Sequence, residues 1–273
     1  MALANKVVVV SGSTRGIGRA IVEACAAQGA SVFVSSRTPG AVQATITELE
    51  GRGARVAGAV CDVSQAAQVE ALRDRALADF GRIDCWVNNA GISEGYRPLD
   101  ELSYDELHEI VDINLLGHLY GARAILPYFR EHGGVLMNMA GRGYRGEATP
   151  HTAVYAATKT AIASVTRSLA AETQDAEATV SVVGFVPGMV DTDFYRDIKT
   201  SPRLARTADN WRYALDAFGV PLEEAGEGAA RVLGMEPHPK NGEIYSMLGG
   251  LRTARGVAKM IYYRATGKMA SGR

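Results

Sequence analysis

Two residues capable of acid–base chemistry, Tyr155 and Lys159, stand four positions apart in the segment "YAATK". On a helix this spacing places both side chains on one face. A tyrosine phenol ordinarily titrates near ~10, so it exchanges a proton near neutral pH only beside a positive charge that favours the phenolate. The ammonium of Lys159 would supply that charge. The pair therefore predicts a proton donor or acceptor for catalysis, and an exposed helix pair without chemistry is the alternative.

The segment that contains this pair, residues 133 to 159, reads as a buried strand, a glycine-punctuated loop and the beginning of a helix. The strand runs into Ala140, Gly141, Arg142 and Gly143, where a second active-site hydroxyl would be expected. None of these four residues carries a hydroxyl. The segment therefore leaves open whether the site is a working catalytic centre or a relic.

A glycine-rich turn, "SGSTRGIG", lies between the first strand-like run and the helical stretch "RAIVEACAAQG". Gly12, Gly16 and Gly18 would allow a tight turn and a close approach of the backbone to a pyrophosphate. The free N–H groups and the positive end of the following helix would bind the charge of that group. The turn predicts a dinucleotide site, and a helix-start turn without a ligand is the alternative.

The end of the second strand indicates which dinucleotide would bind. An acidic residue there would bind the adenosine ribose of NAD, whereas this chain has Ser36 and Arg37. Together with Arg15 in the glycine turn, Arg37 could hold a 2′-phosphate that a carboxylate would repel. The sequence therefore predicts NADP(H), and the alternative is that both arginines are ordinary solvated charges.

The elements that must position these residues are short apolar runs separated by helical patterns. Seven runs are strand-like, at 6–12, 31–37, 55–62, 83–91, 134–141, 179–188 and 243–250. Several are apolar on both faces, as strands of a covered parallel sheet are. We therefore predict an α/β fold, a doubly wound Rossmann-type sandwich with a mostly parallel seven-stranded sheet.

No linker or repeat divides residues 1–250, which are predicted to form one catalytic domain. The longest stretch without a strand signal, about 193–242, contains five aromatic residues and is predicted to be an insertion that binds substrate. Residues 251–273 form a basic C-terminal tail with six Lys and Arg and no acidic residue. Such a tail could contact an anionic membrane surface, contact another subunit, or stay solvated.

Composition restricts the classes of function. Lys and Arg total 29 against 30 Asp and Glu, giving a net charge of −1, so no global charge indicates a nucleic-acid partner. The cysteines, Cys25, Cys61 and Cys85, are predicted to be buried free thiols, and no His or Cys cluster predicts a metal site. The first strand begins too near Met1 for a signal peptide, so a cytoplasmic location is expected.

Taken in order, these motifs resemble the short-chain dehydrogenase/reductase family over Lys6 to Gly250. The matching segments are "SGSTRGIG", Asp62 after the third strand, "NNAG" at 88–91, "VDINLLG" with Asn114, "YAATK" at 155–159 and "PGMVDT" at 187–192. The resemblance implies a single-domain, NAD(P)-dependent oxidoreductase of Rossmann type. It also implies a small-molecule carbonyl or alcohol substrate and a homodimer or homotetramer.

The same resemblance implies roles for individual residues. Tyr155 would be the general acid in reduction or the general base in oxidation, and Lys159 would bind the nicotinamide ribose and lower the pKa of Tyr155. Asn114 would hold a water in a proton relay, Asp62 would contact the adenine, and residues 187–192 would hold the nicotinamide carboxamide. The implied cofactor-binding residues are Gly12, Ser13, Arg15, Gly16, Ile17, Gly18, Ser36, Arg37, Asp62, Val63, Asn89, Ala90, Gly91, Tyr155, Lys159, Pro187, Gly188, Val190 and Thr192.

The chain departs from the family at one position, because "NMAG" places Gly141 where a serine usually binds the substrate oxygen. Three explanations are open. The site is a silent NADP-binding relic with a regulatory or partner role. Alternatively, Arg142, Tyr144 or Thr149 polarises the carbonyl. In the third explanation, a bulky substrate occupies the cleared space and Tyr155 acts alone.

A narrower resemblance favours the third explanation. The run "NMAGRGYRGEATPHTAVYAATK" is similar to the matching segment of chlorophyll b reductases, which lack the serine and reduce a formyl group with NADPH. The sequence thus predicts an NADPH-dependent carbonyl reductase, with the formyl group of chlorophyll b or another bulky lipophilic carbonyl as substrate.

Overall fold

The seven strands of this protein form a single parallel sheet. The structure is a computed structural model and describes residues 2–196, 198–204 and 210–267. Its strands are β1 (Val7–Val10), β2 (Ser31–Ser36), β3 (Val56–Val60), β4 (Cys85–Asn88), β5 (Gly134–Met139), β6 (Val180–Val186) and β7 (Ile244–Ser246). Their order across the sheet is β3-β2-β1-β4-β5-β6-β7, and every neighbouring pair is parallel. The predicted fold is therefore confirmed.

Helices cover both faces of the sheet. They are α1 (Gly16–Ala27), α2 (Pro39–Gly51), α3 (Ala66–Phe80), α4 (Tyr104–Val111), α5 (Gly117–His132), α6 (Ala153–Glu172), α7 (Asp193–Arg196), α8 (Asn210–Phe218), α9 (Leu222–Leu233) and α10 (Gly250–Ala265). A π-helical turn, Asp112–Leu116, joins α4 to α5, and short 3-10 turns occur at Leu99–Glu101 and Pro202–Leu204.

The two large apolar clusters of the core are separated by the sheet. Val8 and Val10 of β1 pack into one cluster with side chains of α1, α2 and α9. Val9 points to the opposite cluster, with side chains of α3 and α5. Successive residues of a strand face opposite sides, so an all-apolar strand such as "VVVV" is buried only when both sides are covered. This alternation explains the continuous apolar runs in the sequence.

The strand order reverses beside β1, which lies between β2 and β4. In open parallel sheets, ligands bind outside the carboxyl ends of the strands at such a point. The segments that follow β1, β4, β5 and β6 all leave the sheet at this edge. They carry the glycine turn, "NNAG", the loop after Met139 and "PGMVDT", so the topology brings the sequence motifs together.

The segment 193–242, which was predicted to bind substrate, has two different parts in the structure. Its second half includes α9, where Ala225, Ala229 and Ala230 are fully buried and the helix packs closely on α1. α9 therefore belongs to the layer that covers the sheet. The described residues that precede α9 in this segment include α7, the turn Pro202–Leu204 and α8.

The C-terminal tail begins as a helix, because residues 250–265 form α10. Residues 268–273, with Lys268 and Arg273, lie outside the described residues, as do 197 and 205–209. The prediction of three buried free thiols is confirmed for Cys25, Cys61 and Cys85. Within the described ranges, no helix is both long and apolar enough to cross a bilayer.

Candidate active site

The glycine turn after β1 is held tightly against the end of β4. Gly12 and Gly16 have positive φ angles of 63° and 54°, which favour glycine. A Cβ on Gly12 would lie 3.0 Å from the Cα of Ala90. The side chain of Asn89 donates hydrogen bonds to the carbonyl oxygens of Ser11 at 2.9 Å and Gly12 at 3.0 Å. Asn89 and Ala90 therefore fix the shape of the turn.

The helix that follows this turn has an open N-terminus. Arg15 is its N-cap, its side chain makes no capping hydrogen bond, and no acidic residue stands in the first turn. The first N–H groups of a helix lack partners within it and favour an anion. Gly18 packs so closely on Asn89 and the Gly12 carbonyl that a side chain would not fit. A backbone cradle of this kind fits a pyrophosphate.

Ser13, in the same turn, has a structural hydroxyl. It is fully buried, donates to the carbonyl of Val10 at 2.8 Å and accepts from the N–H of Ser35 at 3.0 Å. These bonds tie the turn to the ends of β1 and β2. The N–H of Ser13 also donates to the carbonyl of Ser35 at 2.9 Å, so both its hydroxyl and its N–H are engaged within the fold.

The two arginines predicted to bind a 2′-phosphate are on the surface beside the turn. The side chain of Arg15 is 79% exposed and lies 3.4 Å from Asp193, and that of Arg37 is 57% exposed and lies 3.9 Å from Glu109. Exposed ion pairs of this length contribute little to stability. Ser36, next to Arg37, accepts a hydrogen bond from the N–H of Thr38 at 3.3 Å. Both guanidinium groups can therefore turn to an anion without disrupting the fold.

The segments after β3 and β6 complete the edge. Asp62 accepts hydrogen bonds from the N–H and hydroxyl of Ser64 through one carboxylate oxygen, at 3.0 and 2.8 Å. Val63 is buried and packs against Gly117 at the beginning of α5. After β6, Val190 is buried and the methyl group of Thr192 faces Gly16. The segment 187–192 therefore reaches the glycine turn.

Lys159 is the buried cation of the site. Its Nζ donates a hydrogen bond to the carbonyl of Met139, at the end of β5, at 2.8 Å and lies 5.5 Å from the ring centre of Tyr155. Burial lowers the pKa of Lys159 from 10.5 to about 8. The ring of Tyr155 also contacts that of Phe194 in α7, with centroids 5.4 Å apart. The phenol is therefore held between α6, the end of β5 and α7.

The absence of the serine at Gly141 has a geometric consequence. A Cβ on Gly141 would lie 2.5 Å from the phenol oxygen of Tyr155 and 3.4 Å from Cγ of Lys159. The phenol thus occupies the space that a serine side chain would need. This differs from the third explanation in the sequence analysis, in which the space beside Gly141 stays clear for a substrate.

The three proposed replacements for the serine have different surroundings. Arg142 is exposed, and Tyr144 is half-buried with the guanidinium of Arg145 5.1 Å from its ring centre. Thr149 is buried, and its carbonyl accepts from the N–H of Thr152 just before α6. Thr149 is thus the one buried hydroxyl among them, and Arg142 is directed to solvent.

Asn114 lies in the π-helical turn and joins three parts of the site. It is fully buried, accepts a hydrogen bond from the N–H of Ile92 at 2.8 Å and donates to the carbonyl of Ile92 at 2.8 Å. It also donates to the hydroxyl of Thr158, which donates to the carbonyl of Tyr155. Gly91 packs directly against the Asn114 amide. The side chain of Asn114 therefore fastens the loop after β4 to the helix that carries Tyr155.

Glu94 is a residue of the site that the sequence analysis missed. Its side chain is only 2% exposed, and its carboxylate accepts from the N–H of Val154 at 2.9 Å and of Tyr155 at 3.2 Å. The N-cap residue of α6, Thr152, makes no side-chain capping bond, so Glu94 caps this helix from a distant loop. The only sequence signal was an acidic residue close after "NNAG".

His118 is a second residue that the sequence analysis missed. It is buried, and its Nε2 has no hydrogen-bond partner among the described residues. Burial, and then the charge of Lys159, lower the pKa of His118 well below its usual range. A neutral imidazole therefore lies near the buried ammonium. The position of His118 four residues after Asn114 on a helix was the available signal.

Comparison with known proteins places these features in context. The family model described as short chain dehydrogenase matches residues 6–203. The chain is 36% identical over 205 residues to a probable chloroplastic chlorophyll(ide) b reductase of Arabidopsis thaliana, covering 68% of this chain and 41% of that protein. It is 33% identical over 230 residues to 3beta-hydroxysteroid dehydrogenase 1 of Eggerthella lenta, covering 83% and 86%. The chain thus spans less than half the length of the Arabidopsis relative.

Solved structures show the same architecture. A 3-ketoacyl-(acyl-carrier-protein) reductase from Brucella melitensis, complexed with NADH, superposes with a TM-score of 0.78 at 27% identity, covering 91% of this chain and 98% of that one. A blue fluorescent protein from a metagenomic library, in complex with NADPH, gives a TM-score of 0.78 at 26% identity, covering 92% and 99%. Both similarities extend over nearly the whole chain.

Proposed function

The chain belongs to the short-chain dehydrogenase family, and from that membership we propose that it is an NADPH-dependent reductase of a bulky lipophilic aldehyde or ketone. The observation that carries the proposal is that Tyr155 and Lys159 lie at the end of β5, at the same carboxyl edge of the sheet as the uncapped N-terminus of α1. The phosphate cradle would then hold the cofactor, and the proton donor would act on a carbonyl substrate bound beside it. When bound, the reduced nicotinamide supplies the hydride.

The residues of this chain have separate tasks in the proposed reaction. Tyr155 donates its phenol proton to the carbonyl oxygen as that oxygen gains negative charge, and Lys159 favours the phenolate that this leaves. Asn114 and Glu94 hold the helix that carries Tyr155 in place. Burial lowers the pKa of Lys159 to about 8, so Lys159 can give up a proton near neutral pH and pass it towards Tyr155.

NADP(H) is the cofactor we assign. The glycine turn and the open N-terminus of α1 would hold the pyrophosphate, with Asp62 and Val63 at the adenine. Arg15 and Arg37 are exposed beside this cradle and can supply two cations to a 2′-phosphate. The end of β2 carries no carboxylate that would bind a ribose hydroxyl instead.

The substrate class rests on two kinds of support. The relatives include proteins named for a chlorophyll(ide) b and for a 3beta-hydroxysteroid, both of which are large ring systems. In this chain, the ring of Phe194 covers Tyr155, and the segment around it is rich in aromatic residues. The aromatic ring of Phe194 beside the proton donor suits a flat, lipophilic carbonyl compound such as chlorophyll b, with its formyl group.

A catalytically silent NADP-binding protein is the less favoured alternative. A silent protein would not need a buried lysine, because an ammonium in an apolar site costs stability. Here Lys159 is buried beside Tyr155, and the helix that carries both is capped by a second buried acidic residue, Glu94.

Members of this family usually form homo-oligomers, and we propose that this protein is a homodimer or homotetramer. Light scattering of the purified protein would identify which of the two forms.

The proposal is tested by following NADPH oxidation with carbonyl compounds of increasing size. Chlorophyllide b, a 3-ketosteroid and a short aliphatic aldehyde form a suitable series. We expect turnover of at least one ring compound and a much lower kcat/KM for the short aldehyde. Tight NADPH binding without turnover of any of them would support the silent alternative, and a preference for the short aldehyde would contradict the substrate class.

A further inference from the structure

The helix α10 presents an apolar face to solvent. Leu251, Val257 and Ile261 are 75%, 47% and 63% exposed. On a helix with 3.6 residues per turn, Ala254 and Ala258 fall between them, and Ala265 follows one turn later on the same side; all three are exposed as well. We call these six residues the α10 face. A contiguous apolar surface of this kind on a folded protein marks an interaction site.

The opposite side of α10 is anchored to the protein. Gly256 is buried against Phe218 of α8, where no side chain would fit. Arg252 forms an ion pair with Glu224 of α9 at 2.6 Å, and Lys259 forms one with Asp216 of α8 at 3.2 Å. The orientation of the helix is thus fixed by packing and by two ion pairs, which leave the α10 face outward.

Two cations border the α10 face. Arg255 and Arg264 lie on its two sides, are exposed, and have no ion-pair partner among the described residues. No acidic residue occurs from Gly250 to Gly267. The basic residues that face the protein are neutralised by Glu224 and Asp216, so the positive charge that remains points the same way as the apolar side chains.

This combination selects among possible partners. A second copy of the chain would bring the arginines of one α10 against those of the other, with no carboxylate on either helix to pair with them. An anionic lipid surface satisfies both features, because the apolar side chains enter the acyl boundary and the arginines meet the headgroups. We propose that α10 docks this protein on anionic phospholipid bilayers through its apolar face, Arg255 and Arg264.

The position of α10 relates this surface to the candidate active site. Its partner α8 ends at Phe218, and the next residue, Gly219, pairs with Met189 of the segment after β6 through an isolated parallel bridge. α8 is thus connected both to the docking helix and to the segment that reaches the glycine turn. A lipophilic substrate dissolved in the bilayer would meet the protein on this side. Docking itself does not depend on the proposed reaction.

Vesicle sedimentation of the full chain tests the proposal without any measurement of turnover. We expect the protein to sediment with phosphatidylglycerol vesicles and far less with phosphatidylcholine vesicles. R255E/R264E and, separately, L251S/I261S should each lower the partition coefficient by at least about tenfold, because they remove the charge or the apolar contact. R231E/K240E, which reverses two exposed charges elsewhere, should bind like the unmodified protein.

Three outcomes would overturn the proposal. Equal binding to both kinds of vesicle, or none to either, would exclude an anionic surface as the partner. Unchanged binding of both α10 variants would exclude this helix. If the protein does not bind vesicles and L251S/I261S instead lowers the mass of its oligomer in light scattering, the α10 face is an interface between copies of the chain. Circular dichroism of each variant would show whether it is folded.

Discussion

The phenol oxygen of Tyr155 lies 2.5 Å from the position that a Cβ on Gly141 would take. Any side chain at Gly141, including the serine usual in this family, would therefore displace the phenol. The ring is packed against Phe194 and Lys159, so it cannot move without changing those contacts. Gly141 thus has a positive role, since it allows the proton donor to rest against the end of β5.

This relationship predicts that restoring the serine harms the enzyme. Gly141→Ser and Gly141→Ala should each lower kcat/KM by about 10- to 100-fold, because an ångström of misplacement at a reacting group costs about that much. NADPH affinity, measured by fluorescence titration, should change little. Gly40→Ala is the matched control, since nothing lies within 4 Å of a Cβ there. Equal or higher activity of Gly141→Ser would refute the role assigned to the glycine.

The fold could be predicted from the sequence because its signals are local. Strands that are apolar on both faces and glycines at a strand–helix turn are visible in short segments, and all seven strands occur where they were expected. The sequence did not show that the second half of the segment 193–242 belongs to the layer that covers the sheet. The burial of α9 depends on alanines that pack on α1, and small residues carry no strong periodic signal.

The site was partly predictable for the same reason. Tyr155 and Lys159 share a helix face, so their proximity follows from spacing alone. Glu94 acts on Tyr155 across 61 positions of the chain, and only the folded structure brings its carboxylate to α6. The contact between the Tyr155 phenol and Gly141 is likewise a result of packing, and the sequence indicated only that a side chain was missing.

Lys159 should make stability depend on pH. The folded protein holds the Lys159 proton only up to a pKa of about 8, whereas the unfolded chain holds it up to 10.5. The unfolded state therefore binds more protons between these values, and the free energy of unfolding should rise with pH across this window. In Lys159→Met that rise should be absent, and below pH 8 the variant should be more stable by up to about 3 kcal/mol.

Urea unfolding between pH 7 and 11 would measure this difference. Lys240→Met, at a lysine whose side chain is 80% exposed, is the control and should follow the unmodified protein. The Lys159→Met variant should at the same time be inactive, because it lacks the charge beside Tyr155. If the free energy of unfolding depends on pH in the same way for Lys159→Met and the unmodified protein, burial does not lower the pKa of Lys159.

Glu94 should act on the reaction through the position of Tyr155. Glu94→Ala removes the cap of α6 and should reduce the free energy of unfolding by about 1–2 kcal/mol. It should also lower kcat about tenfold while KM for NADPH changes little, because the pyrophosphate cradle is built from the turn after β1 and the N-terminus of α1. Glu94→Gln keeps an acceptor oxygen and should recover most of the activity. A normal kcat in Glu94→Ala would show that Glu94 stabilises the fold without affecting the reaction.

The two surface arginines should determine the choice of cofactor. Arg15→Ala and Arg37→Ala should each raise KM for NADPH by about tenfold and leave KM for NADH nearly unchanged, because only NADPH carries the 2′-phosphate. Arg52→Ala removes an arginine that pairs with Glu23 and Glu48 away from the site, and it should have no effect. If KM rises equally for NADPH and NADH, the arginines do not bind the 2′-phosphate.

The central claim is that Tyr155 donates the proton in the reduction of a carbonyl group. It is tested most directly by measuring NADPH oxidation by the Tyr155→Phe variant with a ring carbonyl compound that the unmodified protein reduces. Phenylalanine preserves the ring and its contact with Phe194 but removes the proton. We predict that kcat falls by at least about 100-fold while NADPH binding is unchanged. Turnover by Tyr155→Phe at the rate of the unmodified protein would contradict the account.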